Sequence, residues 1–129
     1  MPLTRILIID DEVSLSQMLK LTLERTLEYE VMVVNQGRDG PAAAREFLPD
    51  LILLDLMMPD VDGIEVADRL GEDPRTERIP VVFLTAVVQQ AEVEAGHGKI
   101  GGRTFIAKPV EAQRVIRVIE DQLASSRTP

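Results

Sequence analysis

The stretch Leu51-Ile52-Leu53-Leu54-Asp55-Leu56-Met57-Met58-Pro59-Asp60-Val61-Asp62-Gly63 decides how the chain is read. Four apolar residues lead straight into one carboxylate. That is the pattern of a short strand buried on both faces, as parallel strands are, and ending at water. Pro59 and Gly63 then break the pattern and mark a loop. An acid at the carboxyl end of a central parallel strand lies where open α/β sheets bind their ligands.

Working outward, four more apolar runs occur, at residues 6–9, 31–34, 81–84 and 104–107. Between them the spacing changes to helical. Leu15, Met18, Leu19, Thr22, Leu23 and Thr26 fall on one face of a helix over 13–27. Pro41 suits a first helical turn before a short Ala-rich helix over 42–48. A third helix over 64–70 turns Ile64, Ala67 and Leu70 inward. A fourth is expected over 87–95, and a last one over 110–123 with Val115, Val118, Ile119 and Leu123 inward. Residues 96–102 hold four glycines in seven positions and make a poor helix. Five strands alternating with five helices predict an α/β fold with a parallel sheet covered on both faces. The residues that follow or close the strands, Asp10, Asn35, Asp55, Thr85 and Lys108, then share one edge of that sheet.

Composition narrows the function. A chain of 129 residues fits one domain with a real core. With 22 acidic and 14 basic residues the net charge is −8, which argues against direct nucleic-acid binding and an anionic membrane surface but suits a divalent cation. The absence of Cys excludes disulfides and thiolate metal sites. There is no signal-peptide pattern and no apolar run of membrane-spanning length, so a cytoplasmic location is expected.

Taken in the order 2-1-3-4-5, one of the two common doubly wound orders, the sheet has its switch point between the first and third strands. Asp10 and Asp11 then stand beside Asp55, about 4.8 Å away at the backbone. Thr85 stands one strand further, and Lys108 roughly 10 Å off, within reach of a long side chain. Three carboxylates without His or Cys make an oxygen-only site that favours Mg²⁺, with Mn²⁺ as a substitute. A cation, a lysine and a hydroxyl around one carboxylate are the equipment of phosphoryl transfer.

These motifs resemble the receiver domain of two-component response regulators, from about residue 4 to 123. The resemblance implies a flavodoxin-like (βα)5 fold with the sheet order above, and a phosphoacceptor domain over 4–124 followed by a disordered tail over 125–129. It makes Asp10 and Asp11 the acidic pair, Asp55 the phosphorylated aspartate, Thr85 followed by Ala86 the switch hydroxyl, and Lys108 followed by Pro109 the lysine. Phe105 becomes the switch aromatic. Mg²⁺ would be bound directly by Asp11, Asp55 and the Met57 carbonyl, and by Asp10 through water. The Lys108–Pro109 bond is expected to be cis, so that the last strand aims Lys108 at Asp55 while the chain turns into the final helix.

The implied partners are a sensor histidine kinase or phosphotransfer protein and an unknown downstream protein target. The domain is expected to be a monomer or a phosphorylation-dependent dimer. Its only chemistry would be its own phosphorylation and dephosphorylation. With no effector domain after the last helix it reads as a stand-alone receiver. Residues 87–103 depart from the usual turn before the last strand and are expected to be the mobile link between Thr85 and Phe105. Phosphorylation would thereby reach the surface formed by the fourth helix, the last strand and the last helix. Two alternatives carry less. A phosphohydrolase of the haloacid-dehalogenase type places a second acid two residues after the nucleophile, where this chain has Met57. A receiver-like interaction module acting without phosphorylation has no need of the intact acids, Thr85 and Lys108. His97 reads as an ordinary loop residue.

Overall fold

The computed structural model describes residues 2–86, 99–100 and 103–127. In chain order these form β1 (Thr4–Ile9), α1 (Val13–Arg25), β2 (Tyr29–Val34), a 3-10 turn (Gly37–Asp39), α2 (Gly40–Phe47), β3 (Leu51–Asp55), α3 (Gly63–Glu72), β4 (Val81–Thr85), β5 (Lys99–Ile100), β6 (Arg103–Ala107) and α4 (Ala112–Arg127). The sheet order is β2-β1-β3-β4-β6-β5. Five strands are parallel in the expected order 2-1-3-4-5. The sixth, β5, is an addition: two residues pair antiparallel with β6 at the sheet edge. The glycines around it hid it from the sequence pattern, since so short a strand has no periodicity to read. The helix expected over 87–95, and the glycine-rich link apart from residues 99, 100 and 103, lie outside the described residues.

Every residue of β3 is buried, which is why it carries no alternation of apolar and polar positions. Its side chains still alternate between two cores. Leu51 and Leu53 join Ile6, Ile8, Val82, Leu84 and Ile106 under α1 and α4. Ile52 and Leu54 join Leu7, Ile9, Phe83 and Phe105 under α2 and α3. Each fully buried Leu or Ile contributes about 1.5–3 kcal/mol relative to an exposed one. This two-sided burial fixes the register, because a one-residue slip would exchange the contents of the two cores.

The helix faces differ in detail from the sequence pattern. On α1, Leu19 and Leu23 are buried, but the third buried position is Ser16, while Met18 is exposed. Ser16 tolerates burial because its hydroxyl donates to the Glu12 and Val13 carbonyls, both at 3.0 Å, and accepts from Asn35. On α3, Val66 is buried together with Leu70, and Ile64 and Ala67 are half-buried. Val115, Ile119 and Leu123 of α4 are buried as expected, with Val118 packed beside them. This helix continues to Arg127, into the stretch expected to be a frayed tail. Gln122, Leu123 and Ala124 are good helix formers, and neither Gly nor Pro interrupts the chain before Pro129. Among the described residues no helix is long and apolar enough to cross a membrane.

Candidate functional site

Strand alternation builds the site. Ile8, Leu53 and Ile106 all face the core under α1 and α4. Two residues further along each strand stand Asp10, Asp55 and Lys108, so all three side chains leave the sheet on that same side. Register completes the placement, since Ile9 pairs with Leu54 and Asp55 with Leu84. One carboxylate oxygen from each of Asp10, Asp11 and Asp55 lies within 4.8 Å of the others. The Lys108 ammonium stands 3.3 Å from Asp10 Oδ2 and 3.7 Å from Asp55 Oδ2. The Lys108–Pro109 peptide bond is cis, and the Lys108 N–H donates to the Thr85 carbonyl at 2.8 Å.

The electrostatics follow from burial. Asp10 is fully buried and Asp55 is 4% exposed. Burial pushes Asp10 above the usual carboxylate range, against the pull of the Glu12 N–H and Lys108. Asp55 is pushed up to about 7, first by burial, then by its side-chain contact with Asp11 and the charge of Asp10; Lys108 and the Met57 N–H only partly offset this. Burial disfavours the charged Lys108, but its bond to Glu12 and the charges of Asp10 and Asp55 outweigh that and raise its pKa.

The sign of the pH dependence follows. Asp55 holds its proton in the fold at pH values where the unfolded chain, near 3.8, has released it. The protonated-state stability is complete below about 3.8 and is lost as pH rises through about 7. The melting temperature of the metal-free protein is therefore expected to fall between these pH values, and to fall less in Asp55→Asn. Thermal melts of both proteins across that range check this; parallel curves would refute the assignment.

The other expected residues are placed as follows. Thr85 is buried at the end of β4, one residue beyond Leu84, whose carbonyl accepts the Leu56 N–H at 2.9 Å. Exposed Ala86 lines a hollow of about 360 Å³ with Glu12, Leu15, Lys108, Pro109 and Val110. Met57 is exposed, and its N–H donates to Asp55 Oδ1 at 3.3 Å. Phe105 lies apart from the acids, in the core under α2 and α3. Its ring stacks on Phe83 with centroids 5.2 Å apart.

Several supports had been given no role by the sequence. Asn35 Nδ2 donates to the Asp10 carbonyl at 2.8 Å and to Ser16 Oγ at 3.0 Å, tying β2 and α1 to the acidic pair. Asp60 accepts from the Gly37 and Arg38 N–H groups at 3.2 and 3.0 Å, fastening the loop after Asp55 to the 3-10 turn. Glu12 accepts from Lys108 at 2.8 Å. Only Asn35 gave a signal, as a polar residue ending an apolar run. The other contacts join elements far apart in the chain and have no local pattern.

A doubly wound sheet with carboxylates at the switch point and a lysine two strands away defines a class, and the comparisons agree. The chain belongs to the response regulator receiver domain family, whose model matches residues 6–120. It is 36% identical to the protein PilH of Pseudomonas aeruginosa, covering 95% of this chain and 99% of PilH. It is 40% identical to the DNA-binding dual master transcriptional regulator RpaA of Synechocystis sp., over 87% of this chain and 46% of RpaA. Thus the chain spans about half of the one relative and nearly all of the other. The solved signal receiver domain of a signal transduction histidine kinase from Syntrophus aciditrophicus superposes with a TM-score of 0.78 at 28% identity, covering 98% of this chain and 94% of that one.

Proposed function

We propose that this receiver domain accepts a phosphoryl group on Asp55 from a histidine kinase or phosphotransfer protein and passes the signal to a downstream protein. The observation that carries the proposal is the convergence of the Asp10, Asp11 and Asp55 carboxylates within 4.8 Å, with the Lys108 ammonium beside two of them. In the transfer, an Asp55 oxygen attacks phosphorus and the bond from phosphorus to the donor imidazole breaks. The imidazole leaves with the electron pair and is protonated by solvent, and Asp55 becomes an acyl phosphate. Lys108 then pairs with a phosphoryl oxygen, and Thr85 at the neighbouring strand end supplies its hydroxyl to another. The domain would catalyse only its own phosphorylation and the later hydrolysis.

The residues fit Mg²⁺, with Mn²⁺ as a substitute. The donor set is oxygen only, and buried Asp10 Oδ2 lacks a hydrogen-bond partner. Asp11, Asp55 and the Met57 carbonyl would hold the ion, with Asp10 behind them. A bound Mg²⁺ would neutralise charge on the phosphoryl oxygens. Residues 4–124 would form the signalling unit, with Phe105 as its switch and the β6–α4 side of the sheet in its output surface, in a cytoplasmic setting.

Two measurements test this. Intact-mass spectra after incubation with acetyl phosphate and Mg²⁺ should show one added phosphoryl group that hydroxylamine removes, as it cleaves acyl phosphates. No added mass would favour an interaction module that works without phosphorylation. Mg²⁺ should also raise the melting temperature, because binding to the native state adds RT ln(1 + [Mg²⁺]/Kd). Asp11→Asn should lose most of that rise, and an undiminished rise would overturn the metal assignment.

A further inference from the structure

We propose that Glu12 is a positioning residue that restrains Lys108 in the resting domain and so sets how readily Asp55 is phosphorylated. The inference rests on the phosphoacceptor reading of Asp55. The Lys108 ammonium has three carboxyl neighbours: Glu12 Oε1 at 2.8 Å, Asp10 Oδ2 at 3.3 Å and Asp55 Oδ2 at 3.7 Å. The shortest contact is to the Glu12 side chain, which is 57% exposed, whereas those of Asp10 and Asp55 are 0% and 6% exposed. Burial alone would favour the opposite choice, since an unpaired buried acceptor costs more than an exposed one. Asp10 Oδ2 nevertheless lacks a hydrogen-bond partner.

The Glu12 backbone is firmly held, which makes its side chain an effective tether. Its N–H donates to Asp10 Oδ1 at 2.9 Å, and its carbonyl accepts from the Ser16 N–H and hydroxyl, both at 3.0 Å. Only the side chain is free to choose, and it draws the ammonium to the outer side of the acidic cluster. A phosphoryl group on Asp55 must recruit Lys108 against that pull. Glu12 therefore acts through Lys108 on the readiness of the site.

Glu12→Gln keeps the shape and an acceptor but removes the charge. Because the contact is half-exposed, its loss is expected to raise the rate of phosphoryl uptake from acetyl phosphate by about three- to five-fold. The gain should vanish when Glu12→Gln is combined with Lys108→Ala, since the effect runs through the lysine. A second readout needs no phosphorylation: the Lys108 amine should react several-fold faster with acetic anhydride in Glu12→Gln than in the parent, measured by peptide mass spectrometry. An unchanged or slower uptake, or unchanged amine reactivity, would overturn the tether. So would a gain that persists without Lys108, which would mark a general loss of repulsion toward an anionic donor. Should Lys108→Ala take up no phosphoryl group, the amine reactivity decides alone. A parent protein that takes up none would refute the reading of Asp55 while leaving the amine test of the tether intact.

Discussion

Asp55→Asn is expected to abolish phosphoryl uptake from acetyl phosphate. The replacement is nearly isosteric, and a carboxamide oxygen at this position is not a nucleophile of comparable strength. The fold should survive, because the variant removes a charge that burial disfavours while keeping the oxygen that receives the Met57 N–H. A cooperative melt at or above the parent temperature near pH 8, with no mass gain, is the combined outcome to look for. Uptake at the parent rate in Asp55→Asn would move the chemistry to another residue. Lys108→Ala separates roles differently. It leaves all three carboxylates in place, so Mg²⁺ should still raise the melting temperature while uptake is impaired.

Gly63→Ala is expected to be the most damaging small substitution in the loop. A Cβ at Gly63 would stand 2.8 Å from both the Leu56 Cα and the Leu56 carbonyl oxygen, and would overlap the Asp55 carbonyl oxygen outright. All three are backbone atoms, so no rotamer change relieves the clash. The loop closes there because the Gly63 N–H donates to the Leu56 carbonyl at 2.8 Å while Asp62 caps α3 through the Ile64 N–H, also at 2.8 Å. Forcing these apart should cost about 2–4 kcal/mol, the range of a backbone or overpacking defect. For a domain of this size that is a fall of about 10 °C in melting temperature. The same shift would displace Asp55 and Met57, so the stabilisation by Mg²⁺ should shrink as well. A melt and Mg²⁺ response unchanged from the parent would show that the loop relaxes freely.

What the residues made legible was whatever repeats locally. The run from Leu51 to Leu54 and the four other apolar runs of the same length announced the sheet. Asp10, Asp55 and Lys108 could be placed together because each stands just past an apolar run, and strand ends meet once the order is known. The order itself came from the resemblance and not from periodicity. Contacts that cross elements were not legible. Nothing around Ser16 says that it is buried; its hydroxyl donates within the first turn of the helix, but the donor it accepts from, Asn35, lies 19 positions away. Met18 took its place on paper because helical spacing weighs a thioether above a hydroxyl. Glu12 sat beside the acidic pair in the sequence, yet its partner lies 96 residues away. Asp60 likewise looked like a loop acid, and only the packing of the 3-10 turn reveals its two N–H donors. The short strand at Lys99–Ile100 was hidden by flanking glycines.

Whether Asp55 carries the phosphoryl group can be read directly from the position of the acyl phosphate. Borohydride reduction after treatment with acetyl phosphate and Mg²⁺ converts an acyl phosphate on aspartate into homoserine. Peptide mass spectrometry then identifies the position. Homoserine is expected at residue 55, in a peptide in which Asp60 and Asp62 are unchanged, and none when Mg²⁺ is withheld. Homoserine at Asp10 or Asp11, or an unreduced Asp55 in protein that has gained phosphoryl mass, would contradict it.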